Sequence, residues 1–269
     1  MSPTNFLRRC YSTVLLCLML VFSLHAGARE KSATGADKLL IGVPNNFYAE
    51  LRSGEPLGIV LETLDALLSD MGFERQYVSM SNSEMKAALK KGSIDIATSQ
   101  LVSQSDEKSF HSLPMVREYN VLLVSKQDEF SIETLADLRG LRLGGREGFR
   151  YPLIEADEKI TIERNRKDGE NIRKLFLGEL DAAIVGSVSD SYEFRSEGVF
   201  NDVRLIEPAV GFVDIGVRFS RQSFEQSEID RFNQALESFI GGAAWERILE
   251  KNGSSDLVRE WPVIAADAK

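Results

Sequence analysis

Cysteine and histidine are almost missing from this chain, with two of each in 269 residues. Both cysteines, Cys10 and Cys17, lie in the first 28 residues together with His25. Those 28 residues read as an export signal. Arg8 and Arg9 precede an apolar run over residues 11–24, and Ala26-Gly27-Ala28 is an A-x-A cleavage site followed by Arg29. The run is short for a transmembrane helix, and no second run of that kind follows. Removal of residues 1–28 would leave no disulfide, no thiolate metal ligand and no cysteine nucleophile. The one remaining histidine, His111, excludes histidine-rich zinc sites and relays of histidines. No metal site, cofactor or catalytic residue is expected on these grounds, and the location expected is periplasmic.

Positive charge is the second shortage. The whole chain has 32 basic and 41 acidic residues, and removing Arg8 and Arg9 leaves 30 against 41, a net charge near −11. Such a surface repels nucleic acid and anionic lipid, so neither is an expected partner. The remaining 241 residues (269 − 28) suffice for one large domain or for two lobes with separate cores.

A short phrase is present twice, as Gly92-Ser93-Ile94-Asp95-Ile96-Ala97 and as Gly178-Glu179-Leu180-Asp181-Ala182-Ala183. Each copy follows an amphipathic helical stretch (residues 83–91 and 170–177) and runs into a small apolar strand. The strands end in Thr98-Ser99-Gln100 and in Gly186-Ser187. One helix–turn–strand unit used in two lobes explains the repeat, with both loops facing a shared cleft. Asp95 and Asp181, each placed before a strand, are read as turn and capping residues rather than as catalytic carboxylates.

Periodicity fills in the rest. Residues 38–43 read as a strand, 58–70 as a helix with Leu64, Leu67, Leu68 and Met71 on one face, and 73–79 as a second strand. Ser83 is the expected cap of the next helix and Gly92 its stop. Strands are expected at residues 94–98, 119–125, 141–144, 180–185, 203–206 and 210–219, and helices at 131–138, 170–177, 189–196 and in the tail. Trp245 and Trp261 read as packing residues. This alternation is the α/β pattern of mostly parallel sheets flanked by helices.

In order and spacing these segments resemble the bacterial extracellular solute-binding proteins of the amino-acid type, family 3. The resemblance rests on residues 39–43, on 58–72, on Leu89-Lys90-Lys91-Gly92-Ser93-Ile94-Asp95, on Phe130 to Gly140 and on 235–253. It implies a two-lobed type II periplasmic binding fold with two hinge crossovers. Lobe 1 would hold residues 37–121 plus 217–269 and lobe 2 residues 124–212, with hinges near 119–125 and 211–218. The resemblance further implies that the lobes close on a small solute, for delivery to an inner-membrane permease of the ABC type or to a sensor, and the chain is expected to act as a monomer. Two departures set it apart from amino-acid binders. The stretch 103–108 has no arginine to grip a ligand carboxylate, and Gly186 stands where an aspartate would hold an α-amino group. A standard α-amino acid is therefore not the expected ligand.

The candidate ligand contacts follow the strands. Asn46 and Phe47, beside Asn45, follow the first strand, where they line a cleft or fix a turn. Ser99 and Gln100 either hydrogen-bond a polar ligand or cap the next segment. Arg146, Gly148, Phe149, Arg150 and Tyr151 open what reads as a helix; they either hold an anion or a ring-shaped solute there, or are solvated charges and lobe-2 core. Gly186 and Ser187 leave room for a bulkier ligand or only turn the chain. The reading that follows is a protein that captures a small polar or anionic solute. The alternatives are an enzyme on the same scaffold, similar to cyclohexadienyl dehydratases, and a stand-alone sensory binding module.

Overall fold

The computed structural model describes residues 38–102, 107–129 and 131–264. The export-signal reading of residues 1–28 lies outside them, as do residues 103–106. In chain order the elements are β1 (Leu39–Val43), a hairpin of β2 (Glu50–Arg52) and β3 (Glu55–Leu57), α1 (Ile59–Asp70), β4 (Arg75–Ser79), α2 (Asn82–Lys91), β5 (Ile96–Leu101) and β6 (Ser109–His111). There follow β7 (Val116–Ser125), β8 (Leu143–Arg146), α3 (Pro152–Glu155), β9 (Ile162–Asn165), α4 (Asp168–Phe176), β10 (Ala182–Gly186), α5 (Ser189–Ser196), β11 (Val203–Ser220), α6 (Gln226–Phe239) and α7 (Ala243–Lys251).

Local chemistry accounts for the helix ends. Ser81, not Ser83, caps α2: its hydroxyl accepts from the Glu84 N–H while the Glu84 carboxylate accepts from the Ser81 N–H, a reciprocal capping box. Gly92 ends the same helix in the left-handed conformation, φ 67°. Gly58 precedes α1 at φ 95°, and a Cβ there would lie 2.6 Å from the Tyr48 carbonyl carbon, so only glycine fits. The expected helix over residues 131–138 is a single 3₁₀ turn, Leu135–Leu138, closed by Thr134 and Asp137. β2, β3, β6 and β9 carry too little hydrophobic alternation to stand out in the sequence.

The larger sheet has the order β4-β1-β5-β11-β7-β10-β8-β9, with β6 added on β11. At one end β1 runs parallel to β4 and β5; at the other β8 runs parallel to β9 and β10. Between them β7 and β11 pair antiparallel along most of their length. The two expected strands at residues 203–206 and 210–219 are one 18-residue strand whose register shifts between Ile206 and Gly211. The molecule thus has two lobes, each with a parallel sheet, and both long strands pass from one to the other.

Each lobe has its own core. In the first, Ile41, Leu64, Ile96, Val217, Phe219, Phe232 and Trp245 pack under α1, α6 and α7. In the second, β7 alternates: Leu122 and Val124 face Tyr151, Ile154 and Ile184, while Tyr119, Val121 and Leu123 face Ile172, Phe194 and Trp261. The chain after α7 begins on the first core with Leu257 and continues onto the second with Trp261 and Ile264. There Ala209 donates to the Pro262 carbonyl (2.7 Å) and Ile264 donates to the Ala209 carbonyl (2.8 Å).

The doubled phrase performs one task twice. The Asp95 carboxylate accepts from the Leu40 N–H at 2.7 Å, and the Asp95 N–H donates to the Leu40 carbonyl. Asp181 and Arg142 repeat both bonds, again with 2.7 Å to the side chain. The Arg142 guanidinium also grips Asp181 and holds its carboxyl below the usual range. These aspartates pin the start of a strand to its neighbour, which is the structural role expected for them.

Candidate functional site

In both lobes the parallel strands end toward the β7–β11 crossover, and the loops after their carboxyl ends are the natural place for a ligand. In the first lobe these are the loops after Val43 and Leu101, and in the second those after Arg146 and Gly186.

The first-lobe candidates are tied together. The Asn46 amide donates to the Ser99 hydroxyl at 3.0 Å, and its oxygen accepts from the Tyr48 and Ala49 N–H groups at 3.0 and 3.1 Å. Asn45 and Ser99 hold φ values of 52° and 54°, unusual for residues with a side chain. Asn45 fixes the same turn by donating to Ser79 and accepting from Leu51. Gln100 bends back to donate to the Thr98 carbonyl at 2.9 Å. Phe47 is half-buried and meets Tyr192 of α5, ring centroids 5.1 Å apart.

The second-lobe candidates do not converge as one group. The Arg146 guanidinium pairs with Asp168 at 3.1 Å and lies 4.9 Å from the centre of the Phe149 ring, which is half exposed. Arg150 points to solvent and pairs with Glu155. Tyr151 is buried in the second core, and its hydroxyl accepts from the Arg146 N–H at 3.0 Å. The expected helix start at residues 149–151 is a loop, and α3 begins only at Pro152 and is one turn long. Gly148 is exposed with φ 80° and nothing within 4 Å of where its Cβ would be. The Ser187 hydroxyl accepts from the Tyr119 N–H at 3.1 Å and is buried.

Around Gly186 stand residues that the motif reading did not pick out. A Cβ at Gly186 would lie 2.7 Å from a Glu118 carboxylate oxygen. Glu118 is 6% exposed and accepts from the Val188 N–H (2.7 Å) and the Ser189 N–H (3.3 Å). Asp190, at the start of α5, accepts from the Gly186 N–H at 2.6 Å. Burial pushes the Glu118 carboxyl up to about 7, against the pull of the Val188 N–H, and the Asp190 charge adds to the rise. Burial also raises Asp190 and Asp168; each is pulled back by Arg146, and Asp168 raises Asp190 further. Asp168 and Asp190 therefore share one guanidinium, and Glu118 stands beside Asp190. The sequence signal was Glu118 and Asn120 set two apart in a mostly apolar strand.

Tyr192 joins the lobes: besides meeting Phe47, its ring would lie 2.9 Å from a Cβ at Gly253, in the first lobe's tail. One turn on, Arg195 makes a two-pronged ion pair with Asp256 at 2.9 and 3.0 Å. A cavity of about 590 Å³ next to that pair is lined by Phe200, Glu207, Arg259 and Trp261 among others, and Arg259 pairs with Glu207 at 3.1 Å. Two of its three arginines, Arg195 and Arg259, are thus each paired with an acid. His111 sits on β6 with Nδ1 donating to the Val102 carbonyl at 3.0 Å, and both tryptophans are buried in the cores. Among the described residues no group of three His, Cys, Asp or Glu side chains is placed to hold a metal, and no helix is long and apolar enough to cross a membrane.

The sequence profile described as bacterial extracellular solute-binding proteins, family 3, matches residues 40–255. No curated relative matches the sequence. Among solved structures, the chain is similar to the L-cystine solute receptor of Neisseria gonorrhoeae in its unliganded open conformation. The two are 16% identical, the match covers 83% of this chain and 95% of that one, and the TM-score is 0.67. The second substrate-binding domain of a putative amino-acid ABC transporter from Streptococcus pneumoniae is 18% identical over 80% and 99% of the two chains, TM-score 0.63. A histidine kinase sensor domain with similarity to periplasmic binding proteins is 20% identical over 80% and 95%, TM-score 0.61. At these identities the likeness establishes the fold.

Proposed function

We propose that this chain, which belongs to the bacterial extracellular solute-binding proteins of family 3, captures a small polar solute between its two lobes in the periplasm and delivers it to a membrane permease of the ABC type. The observation that carries the reading is the convergence at the crossover. Asn46 and Ser99 stand beside Phe47 in the first lobe, Phe47 meets Tyr192 of α5 across the gap, and Glu118 of β7 binds the start of α5, near where β7 and β11 pass between the halves. A ligand touching both walls favours the closed arrangement by its extra contacts there. Arg146 and Arg150 are each engaged by a carboxylate, so the anion site sketched for them requires both pairs to break first.

The test is a thermal-shift screen of the secreted protein against a metabolite library, followed by mass spectrometry of the recovered ligand and small-angle scattering with and without it. A bound solute raises the melting temperature by mass action. The expected result is a saturable rise, a smaller radius of gyration and a ligand recovered unchanged. A ligand recovered chemically altered removes the transport reading and makes Glu118, raised toward neutrality, the first residue to examine as a proton donor.

A further inference from the structure

We propose that the corner formed by Glu118, Asn120, Gly186, Asp190 and Gly211 is a subsite for a small organic cation: an ammonium group with a neutral oxygen acceptor one or two carbons away. This names the class of solute for the binding reading above and rests on it.

The geometry begins with β7. Glu118 and Asn120 are two residues apart and therefore project from one face of the strand. Asn120 is paired with Gly186 on one side and with Gly211 on the other. Opposed residues in an antiparallel pair share a face, so the two glycines remove the side chains that would otherwise flank the amide. A Cβ at Gly211 would stand 3.5 Å from Asn120 Nδ2 and 4.0 Å from Leu153, and one at Gly186 would strike the Glu118 carboxylate. The space beside Asn120 is thus bounded by a carboxylate, an apolar α3 side chain and bare backbone.

The polar groups define what fits. Asn120 is 7% exposed, and its Nδ2 has no hydrogen-bond partner among the described residues. A buried amide donor left unmade is costly, and an oxygen acceptor on a ligand satisfies it. Glu118 accepts from the Val188 and Ser189 N–H groups and from the Ser189 side chain, and has no ion pair with a basic side chain among the described residues. Asp190 accepts from Gly186, and the nearest guanidinium, Arg146, is bound to Asp168. The corner therefore has a buried carboxyl without a cationic partner among the described residues, and one uncommitted donor. An ammonium offsets the first and an adjacent oxygen meets the second. A carboxylate on the ligand would face Glu118 and Asp190 with no free guanidinium to receive it, so the acceptor is a hydroxyl, amide or ester oxygen.

Ethanolamine is the minimal probe, with glycolate and ethylene glycol as its anionic and neutral counterparts at matched ionic strength. The readout is the side-chain amide signal of Asn120 in ¹⁵N-labelled protein, assigned by its loss in Asn120→Asp, together with the melting temperature. Ethanolamine is expected to move that signal saturably, glycolate and ethylene glycol are not, and Glu118→Gln is expected to weaken the dissociation constant about tenfold or more. Asp190→Asn provides the same test should Glu118→Gln fail to fold. Glycolate or ethylene glycol acting as well as ethanolamine, or an Asn120 signal that ethanolamine leaves unmoved, overturns the cation subsite. If a library metabolite still stabilises the protein in that case, solute binding survives and only the charge assignment falls; if none does, both fall.

Discussion

Glu118 offers a sharp test of whether the crossover buries an uncompensated carboxyl. Its pKa is raised from 4.5 to about 7, chiefly by burial. The folded chain therefore holds a proton that the unfolded chain has released over that interval. The associated stability is fully present below pH 4.5 and is lost as pH rises through 7. That rise in pKa is equivalent to about 3 kcal/mol, or roughly 6–12 °C in melting temperature for a chain of this size. Other carboxylates titrate in the opposite sense. Asp65, Asp181 and Asp256 are held low by Arg75, Arg142 and Arg195 and lose stability on acidification. The measurement must therefore be the difference between the native protein and Glu118→Gln, by denaturant unfolding from pH 4.5 to 8.5. Glutamine keeps the acceptor for Val188 but sets an amide against the Ser189 N–H, which costs about 1 kcal/mol at every pH. The variant should be the less stable form at acid pH and the more stable one at pH 8. A difference that stays constant across the range refutes the burial argument.

Gly186→Ala should destabilise by about 1–3 kcal/mol, because its Cβ falls 2.7 Å from the Glu118 carboxylate and 2.9 Å from the Ser189 hydroxyl; chemical denaturation measures it, and a neutral outcome means that this corner is roomier than described. Ser81→Ala removes the α2 capping box and should cost about 1 kcal/mol in the same assay, while Ser83→Ala, which carries no cap, should cost far less. Tyr192→Ala removes the ring between Phe47 and Gly253, and the ligand-free protein should then scatter with a larger radius of gyration at nearly unchanged stability. Arg195→Ala should cost no more than about 1 kcal/mol, since the pair with Asp256 is solvent-exposed.

The sequence made the scaffold legible because the scaffold repeats. The phrase ending in Asp95 and Asp181 marks the same reciprocal bond pair in both lobes, and the helices before it are amphipathic enough to be seen unaided. Elements without periodicity were lost: the β2–β3 hairpin, β6 and β9 are three or four residues each. The join of two expected strands into β11 was hidden for a different reason. Residues 207–209 separate the two expected strands, yet β11 bulges out its extra residues there and its pairing with β7 resumes at Gly211.

The loops after the strands were legible along the chain, but the acidic groups beside them were not, and Gly186 shows why. Along the chain, a glycine at that position means that no side chain reaches into the cleft from there. In the folded protein the same glycine opens the space that the Glu118 carboxylate occupies, 2.7 Å from where a Cβ would have been. The acid arrives from a strand 68 residues earlier, because β7 is the antiparallel neighbour of β10. Spacing along one segment cannot reveal such a substitution; only the pairing of segments can. What the sequence did offer was an anomaly of type: an ionisable residue and an amide, alternating on a strand whose other positions are mostly apolar and buried. Burying such groups is expensive, so their presence there is itself the signal of a site. Arg146 and Arg150 show the same dependence on pairing between segments. An arginine near a glycine loop suggests an anion, but in this fold each meets an acid first, from α4 and from α3.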